Sequence, residues 1–172
     1  MDLASYNRLG QVYHAANVSA KSVIAVTTAM TGVILYNPPG SGKNLLIADV
    51  GWVWTTVPGA VHNIGLATAA PNLTAPATVT AIGSGVTLAN GSGNAGNSVT
   101  LAYDAATLPV APVARRWFGG AAWGSSVAVS PFSILDRVDG AIMLVPGAVM
   151  TFCAVTTTAV GMGSVTWVEV PV

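Results

Sequence analysis

The chain has 172 residues, of which 52% are hydrophobic, and six Lys+Arg balance six Asp+Glu to a net charge of zero. Charged residues make up 7% of it, against about 25% in an ordinary soluble domain, and its length suits a single domain. With no basic cluster beyond Arg115-Arg116, nucleic acid is excluded as a partner, and so much apolar sequence excludes a disordered chain.

In chain order, Leu3, Tyr6, Leu9 and Tyr13 sit near helical spacing, but Ala15 to Ile24 has an extended pattern. Residues 1–20 are therefore expected to form an N-terminal arm, and residues 21–172 a single domain. Met1 to Arg8 lacks the basic start and apolar centre of a secretory signal. The chain is expected to stay where it is made, unless a particle carries it out.

From Leu45 the period is two. Leu45 to Val57, the turn Pro58-Gly59, and Ala60 to Ala67 predict two strands around a tight turn. Val79 to Ile82, Val86 to Leu88, Ser98 to Tyr103 and Ser126 to Val129 repeat the alternation of apolar with small polar residues, and strands follow at Ile142 to Val145, Val149 to Thr158 and Ser164 to Val170. Turn clusters separate them at residues 37–42 (Asn-Pro-Pro-Gly-Ser-Gly), 89–97, Phe118-Gly119-Gly120 and Pro146-Gly147. The segment 68–97 is expected to be a long connection with a strand inside the same domain. Short strands at this spacing predict an all-β fold, a β-sandwich or barrel.

The charge-free stretches 50–103 and 140–168 are broken by Gly, Pro, Asn and Thr, so neither holds the roughly 20 consecutive apolar residues of a spanning helix. No membrane partner is expected.

Gly40-Ser41-Gly42-Lys43 suggests a phosphate-binding loop, but that pattern needs Gly where Asn37 stands and Ser or Thr where Asn44 stands. A hairpin connection accounts for these residues. The two histidines, His14 and His62, lie in no pattern that joins nucleophile and base. The acids are Asp2, Asp49, Asp104, Asp136, Asp139 and Glu169; only Asp136-Arg137-Val138-Asp139-Gly140 is clustered, and it suits a self-neutralising turn better than a weak Ca²⁺ site. Cys153, the single cysteine, excludes an intrachain disulfide and a multi-cysteine zinc site, and its apolar run suits a small buried side chain. No catalytic residue, cofactor or metal is expected, and the chain is expected not to be an enzyme. Arg115-Arg116-Trp117-Phe118 is the one cationic and aromatic cluster. It fits the centre of a protein interface, or an edge strand whose arginines lie over a Trp face.

Leu35-Tyr36-Asn37-Pro38-Pro39-Gly40-Ser41-Gly42-Lys43-Asn44-Leu45-Leu46-Ile47, with Gly140 to Gly147 and Gly163 to Pro171, resembles the jelly-roll head decoration (cement) proteins of tailed bacteriophages and related virion proteins. The resemblance covers about a third of the chain, in strand and turn residues. It implies a jelly-roll-like antiparallel β-sandwich that binds the outside of an assembled phage head as a homotrimer, stabilises it, and has the major capsid protein as partner. Localisation would be the capsid surface of the virion, after synthesis in the host cytoplasm. The contact residues on this reading are Tyr6, Arg8 and Tyr13 in the arm and Arg115, Arg116, Trp117, Phe118 and Trp123 in the segment 115–123. Independently, a charge-poor chain with five Trp would expose apolar patches as a monomer, which predicts self-association. The alternative is a head- or tail-fibre module that binds host surface glycans.

Overall fold

The computed structural model describes residues 2–56, 62–69, 78–81, 89–90, 98–121, 133–155 and 158–172. One short helix, α1 (Leu3–Arg8), precedes β1 (Val12–Ala16), β2 (Lys21–Val23), β3 (Ala29–Tyr36), β4 (Lys43–Trp54), β5 (His62–Ala69), β6 (Thr78–Ala81) and β7 (Ala89–Asn90). Then come β8 (Leu101–Thr107), β9 (Val113–Ala121), β10 (Ser133–Arg137), β11 (Met143–Leu144), β12 (Val149–Ala154) and β13 (Ala159–Pro171). The strands expected at Val86 to Leu88 and Ser126 to Val129, and the turn Pro58-Gly59, lie outside the described residues.

The strands form two packed antiparallel sheets. The first has the order β10-β4-β13-β1-β7, with β11 on β4 and β2 on β13; the second has the order β6-β8-β3-β12-β5-β9. Eight of these strands pair from the outside inward: β1 with β13, β3 with β12, β4 with β10, and β5 with β9. Two further pairings, β13 with β4 and β12 with β5, fold that ribbon into two sheets. This is the jelly-roll arrangement, and the protein is an all-β sandwich of that kind. Chain between β5 and β9 supplies β7 beside β1, and β8 and β6 beyond β3.

The stretch expected to be an arm is largely absorbed into the fold. The Asp2 carboxylate accepts from the Ser5 N–H at 3.4 Å to cap α1, and Gly10, at φ 68°, turns the chain into β1. Strand β1 is hydrogen-bonded on both sides, to β13 and β7, so the sandwich begins at Val12.

Alternation alone would bury Asp49, because Leu45 and Ile47 point into the core. A register shift on β13 between Thr166 and Trp167 pairs them with Asp49 and Ile47, which leaves Ala48 as the extra residue of a bulge. That extra residue reverses the phase, so Val50, Trp52 and Trp54 face inward and Asp49 faces out. Around them Trp52 packs on Phe152 at 5.7 Å and edge-on to Trp54 at 6.4 Å, and Phe118 meets Phe152 at 6.0 Å. Gly161 and Gly163 of β13 make room for these rings. A Cβ on Gly161 would lie 2.7 Å from Trp52, and one on Gly163 would lie 2.9 Å from Phe152.

The two sheets differ in what they leave exposed. Strand β12 is buried at all six positions, so its outward-facing side chains are covered as well as its inward ones. Ile34, Tyr36, Val149 and Cys153 form a cluster there, with Leu108 and Met30. The first sheet keeps an outer face on which exposed and half-buried side chains alternate with core residues.

Charges join the sheets at two places. Arg116 on β9 meets Asp136 on β10, and Lys21 on β2 meets Asp104 on β8, each at 2.6 Å. Glu169, buried in β13, accepts from Ser98 Oγ at 2.6 Å, Val99 N at 3.1 Å and Thr100 Oγ1 at 2.9 Å, pinning the approach to β8 against the last strand. Among the described residues, no helix is long and apolar enough to cross a membrane.

Candidate interaction surfaces

The cluster Arg115-Arg116-Trp117-Phe118 is contiguous in sequence but divided in space, because β9 sends alternate residues to opposite sides. Phe118 packs on Phe152 in the core, and Arg116 spends its guanidinium on Asp136, whose hydrogen bond and charge raise it above its ordinary pKa. Arg115 and Trp117 remain outward. Arg115 Nε donates to Thr68 Oγ1 at 2.8 Å. Trp117 lies over Gly65, where a Cβ would come within 2.6 Å of its ring, and is 46% exposed. Strand β9 is the last strand of its sheet, with Val113 also exposed, so its surface contribution is Val113, Arg115 and Trp117.

Of the expected contacts near the N-terminus, Arg8 is exposed in the last turn of α1 and Tyr6 is half-buried in the same helix. Tyr13 is a core residue, 6% exposed and stacked on Trp167 at 5.9 Å, with burial and then the Glu169 charge pushing its phenol up. It is not placed to meet a partner. Trp123 lies outside the described residues.

A further surface, absent from the expected contacts, covers the outer face of the first sheet. Register brings Leu135, Gly51, Ser164 and Ala16 into one row across β10, β4, β13 and β1, and Arg137, Asp49, Thr166 and His14 into the next. Three small residues in the first row leave a shallow groove of about 390 Å³, with Leu135, 76% exposed, as its ridge and Val53 and Met162 along it. At the far end Asn17 takes over where β1 stops. Its Oδ1 accepts from the Gly163 N–H at 3.2 Å, and Val18 beside it is 60% exposed. The second row is polar. His14 Nδ1 lies 3.0 Å from Thr166 Oγ1, and the ring pKa is lowered by burial, with the nearby Asp49 charge opposing. Arg137 approaches Asp49 only to 4.0 Å and stays almost fully in solvent. Helix α1 flanks this row, its Leu3, Ala4 and Asn7 enclosing a second hollow against Val12 and His14.

Chemistry-bearing side chains are dispersed. Asp2 caps a helix, Asp104 and Asp136 hold cations, and Glu169 holds Ser98 and Thr100. Within the Asp136 to Gly140 segment, Asp136 belongs to Arg116 and Asp139 takes the left-handed turn at φ 51°. His62 is buried and its pKa lowered by that burial, while Cys153 is fully buried with its thiol pushed up to about 11. Among the described residues, no three or more His, Cys, Asp and Glu come together as a metal would need.

In comparisons with known proteins, the chain matches no family model, no curated protein and no solved structure.

Proposed function

We propose that the protein is a non-enzymatic structural component of a tailed-phage virion, a decoration protein that binds the outside of the assembled head as a trimer and stabilises it. The observation that carries this reading is a jelly-roll sandwich with few charges, five of which hold the fold together, so that its surface presents largely apolar and hydroxyl groups. Such surfaces suit association. The shell-facing side is β9 with Val113, Arg115 and Trp117, and the major capsid protein is the partner. A ligand that binds only the assembled shell stabilises it by mass action. The test is co-sedimentation of the purified protein with preassembled empty phage heads, followed by heating: bound protein and a raised disruption temperature support the reading, and its absence from the pellet at micromolar concentration refutes it.

A second reading, a fibre module that binds host glycans, draws on half-exposed Trp117 beside Arg115, since an exposed aromatic ring can stack on sugars. Binding to host surface polysaccharide that is lost in Trp117→Ser, with no binding to shells, selects it.

A further inference from the structure

We infer that the outer face of the first sheet, β10-β4-β13-β1, is the surface through which one copy of this chain meets another. The inference rests on the oligomeric part of the functional reading and names the surface that part leaves open. It has three supports: shape, charge and extent.

The face carries both a ridge and the hollow to receive one. Leu135, the most exposed of the large apolar side chains within the strands, stands beside a floor of Gly51, Ser164 and Ala16, where there is no side chain larger than a hydroxymethyl. The groove measures about 390 Å³, and an apolar cavity of about 150 Å³ already holds a benzene-sized group. Leu135 of a second copy therefore fits over the floor of the first. Val53 and Met162 line the groove beside it.

The charges of the face are self-matching. Its one polar row holds a single cation and a single anion, Arg137 and Asp49, whose separation of 4.0 Å within one chain leaves the guanidinium almost fully in solvent and free to meet the Asp49 of a neighbour. A partner of strong net charge finds nothing here to complement, whereas a second neutral copy does. As for extent, β4 and β13 over ten residues and β10 and β1 over five, at about 4.8 Å between strands and about 3.4 Å per residue, span roughly 490 Å², so the sheet face supplies most of the roughly 600 Å² per partner at the lower bound of stable interfaces.

The test is the mass of the full chain by sedimentation equilibrium from 1 to 100 µM in 0.1 and 1 M salt. Native protein is expected as a trimer of the 17.3 kDa chain at both salts, and a stable dimer keeps the interface but refutes the trimeric reading. Leu135→Asp and Ala16→Arg, both at exposed positions, are each expected to weaken association at least tenfold while the far-ultraviolet spectrum stays native, and Trp117→Ser on β9 is expected to leave the mass unchanged. If Leu135→Asp fails to fold, Ala16→Arg decides. A monomeric native chain overturns the inference, as do folded variants that keep the native mass. Shell binding separates this outcome from the functional reading: variants that stay oligomeric yet bind shells refute the interface alone, and a native oligomer that ignores shells refutes the decoration role alone.

Discussion

Glu169 offers the sharpest test of how the chain between β5 and β9 is held to the sandwich. It is 3% exposed and accepts from Ser98 Oγ, Val99 N and Thr100 Oγ1. Glu169→Leu leaves those donors without their acceptor. Hydrogen bonds to a charged group contribute roughly 1.5–3 kcal/mol each, but Ser98 and Val99 are only half-buried and recover part of that from water, so the expected loss is about 3 kcal/mol. Glu169→Gln keeps one acceptor oxygen and should lose about 1–2 kcal/mol. For a chain of this length each kcal/mol lowers the melting temperature by roughly 2–4 °C, so Glu169→Leu should melt about 6–12 °C below native. Calorimetry measures the global cost and amide hydrogen exchange locates it, with Val99 and Thr100 exchanging faster than β12. In the Glu169→Leu background, Thr100→Ala should add almost nothing, because the partners are coupled. If both Glu169 variants melt within about 1 °C of native, or if Thr100→Ala costs the same in either background, the carboxylate does not anchor this segment.

Gly161→Ala would place a Cβ 2.2 Å from the Val53 carbonyl and 2.7 Å from the Trp52 ring. Backbone on one side and a packed indole on the other cannot yield, so about 3 kcal/mol of stability should be lost, seen as a lower urea midpoint with an unchanged slope. Burial lowers the pKa of both His62 and His14 from the ordinary value of 6.5. The unfolded chain therefore binds protons first as pH falls, and the stability these neutral rings contribute is complete above about pH 6.5 and lost progressively below it. Urea midpoints measured from pH 7.5 to 5 should fall, and the fall should be shallower in His62→Gln. Cys153, fully buried with its thiol near 11, should resist alkylation at pH 8 in the folded protein and react completely in 6 M guanidinium.

The sandwich was legible in the sequence wherever one strand face is buried and the other is not, because that contrast writes a period of two. Strands β4, β5, β12 and β13 carry it, and each lies where alternation or an apolar run predicts. Within β4 the jump from Ile47 to Val50, three residues instead of two, is the local mark of the bulge that turns Asp49 outward. Strand β1 was harder to see. Its five residues alternate weakly around Ala15 and Ala16, and its main partner, β13, lies about 150 residues away in sequence. The contact residues were less legible still. Arg116 and Phe118 cannot be told from Arg115 and Trp117 until the inward side of β9 is known, and Tyr13 is equally at home on a surface or against Trp167. The groove leaves no local trace, since Ala16, Gly51, Leu135 and Ser164 come from four strands and become neighbours only through register.

The scarcity of charge acquires a physical meaning once those charges are placed. In an ordinary domain most charges sit on the surface and favour solvation over association. Here two cations and three acids are taken up by the inter-sheet pairs Arg116–Asp136 and Lys21–Asp104 and by the Glu169 anchor, which tie together parts of the jelly roll that backbone pairing does not join. With so few charges in the chain, those that hold the sandwich are not available to keep its outer face wet. The same economy that closes the fold thus leaves Leu135, Val18 and Trp117 in solvent on sheet faces nearly free of repulsion. Association through such a face is driven by apolar burial. It should hold when salt shrinks the screening length to about 3 Å at 1 M, a condition that dissolves contacts made by surface ion pairs.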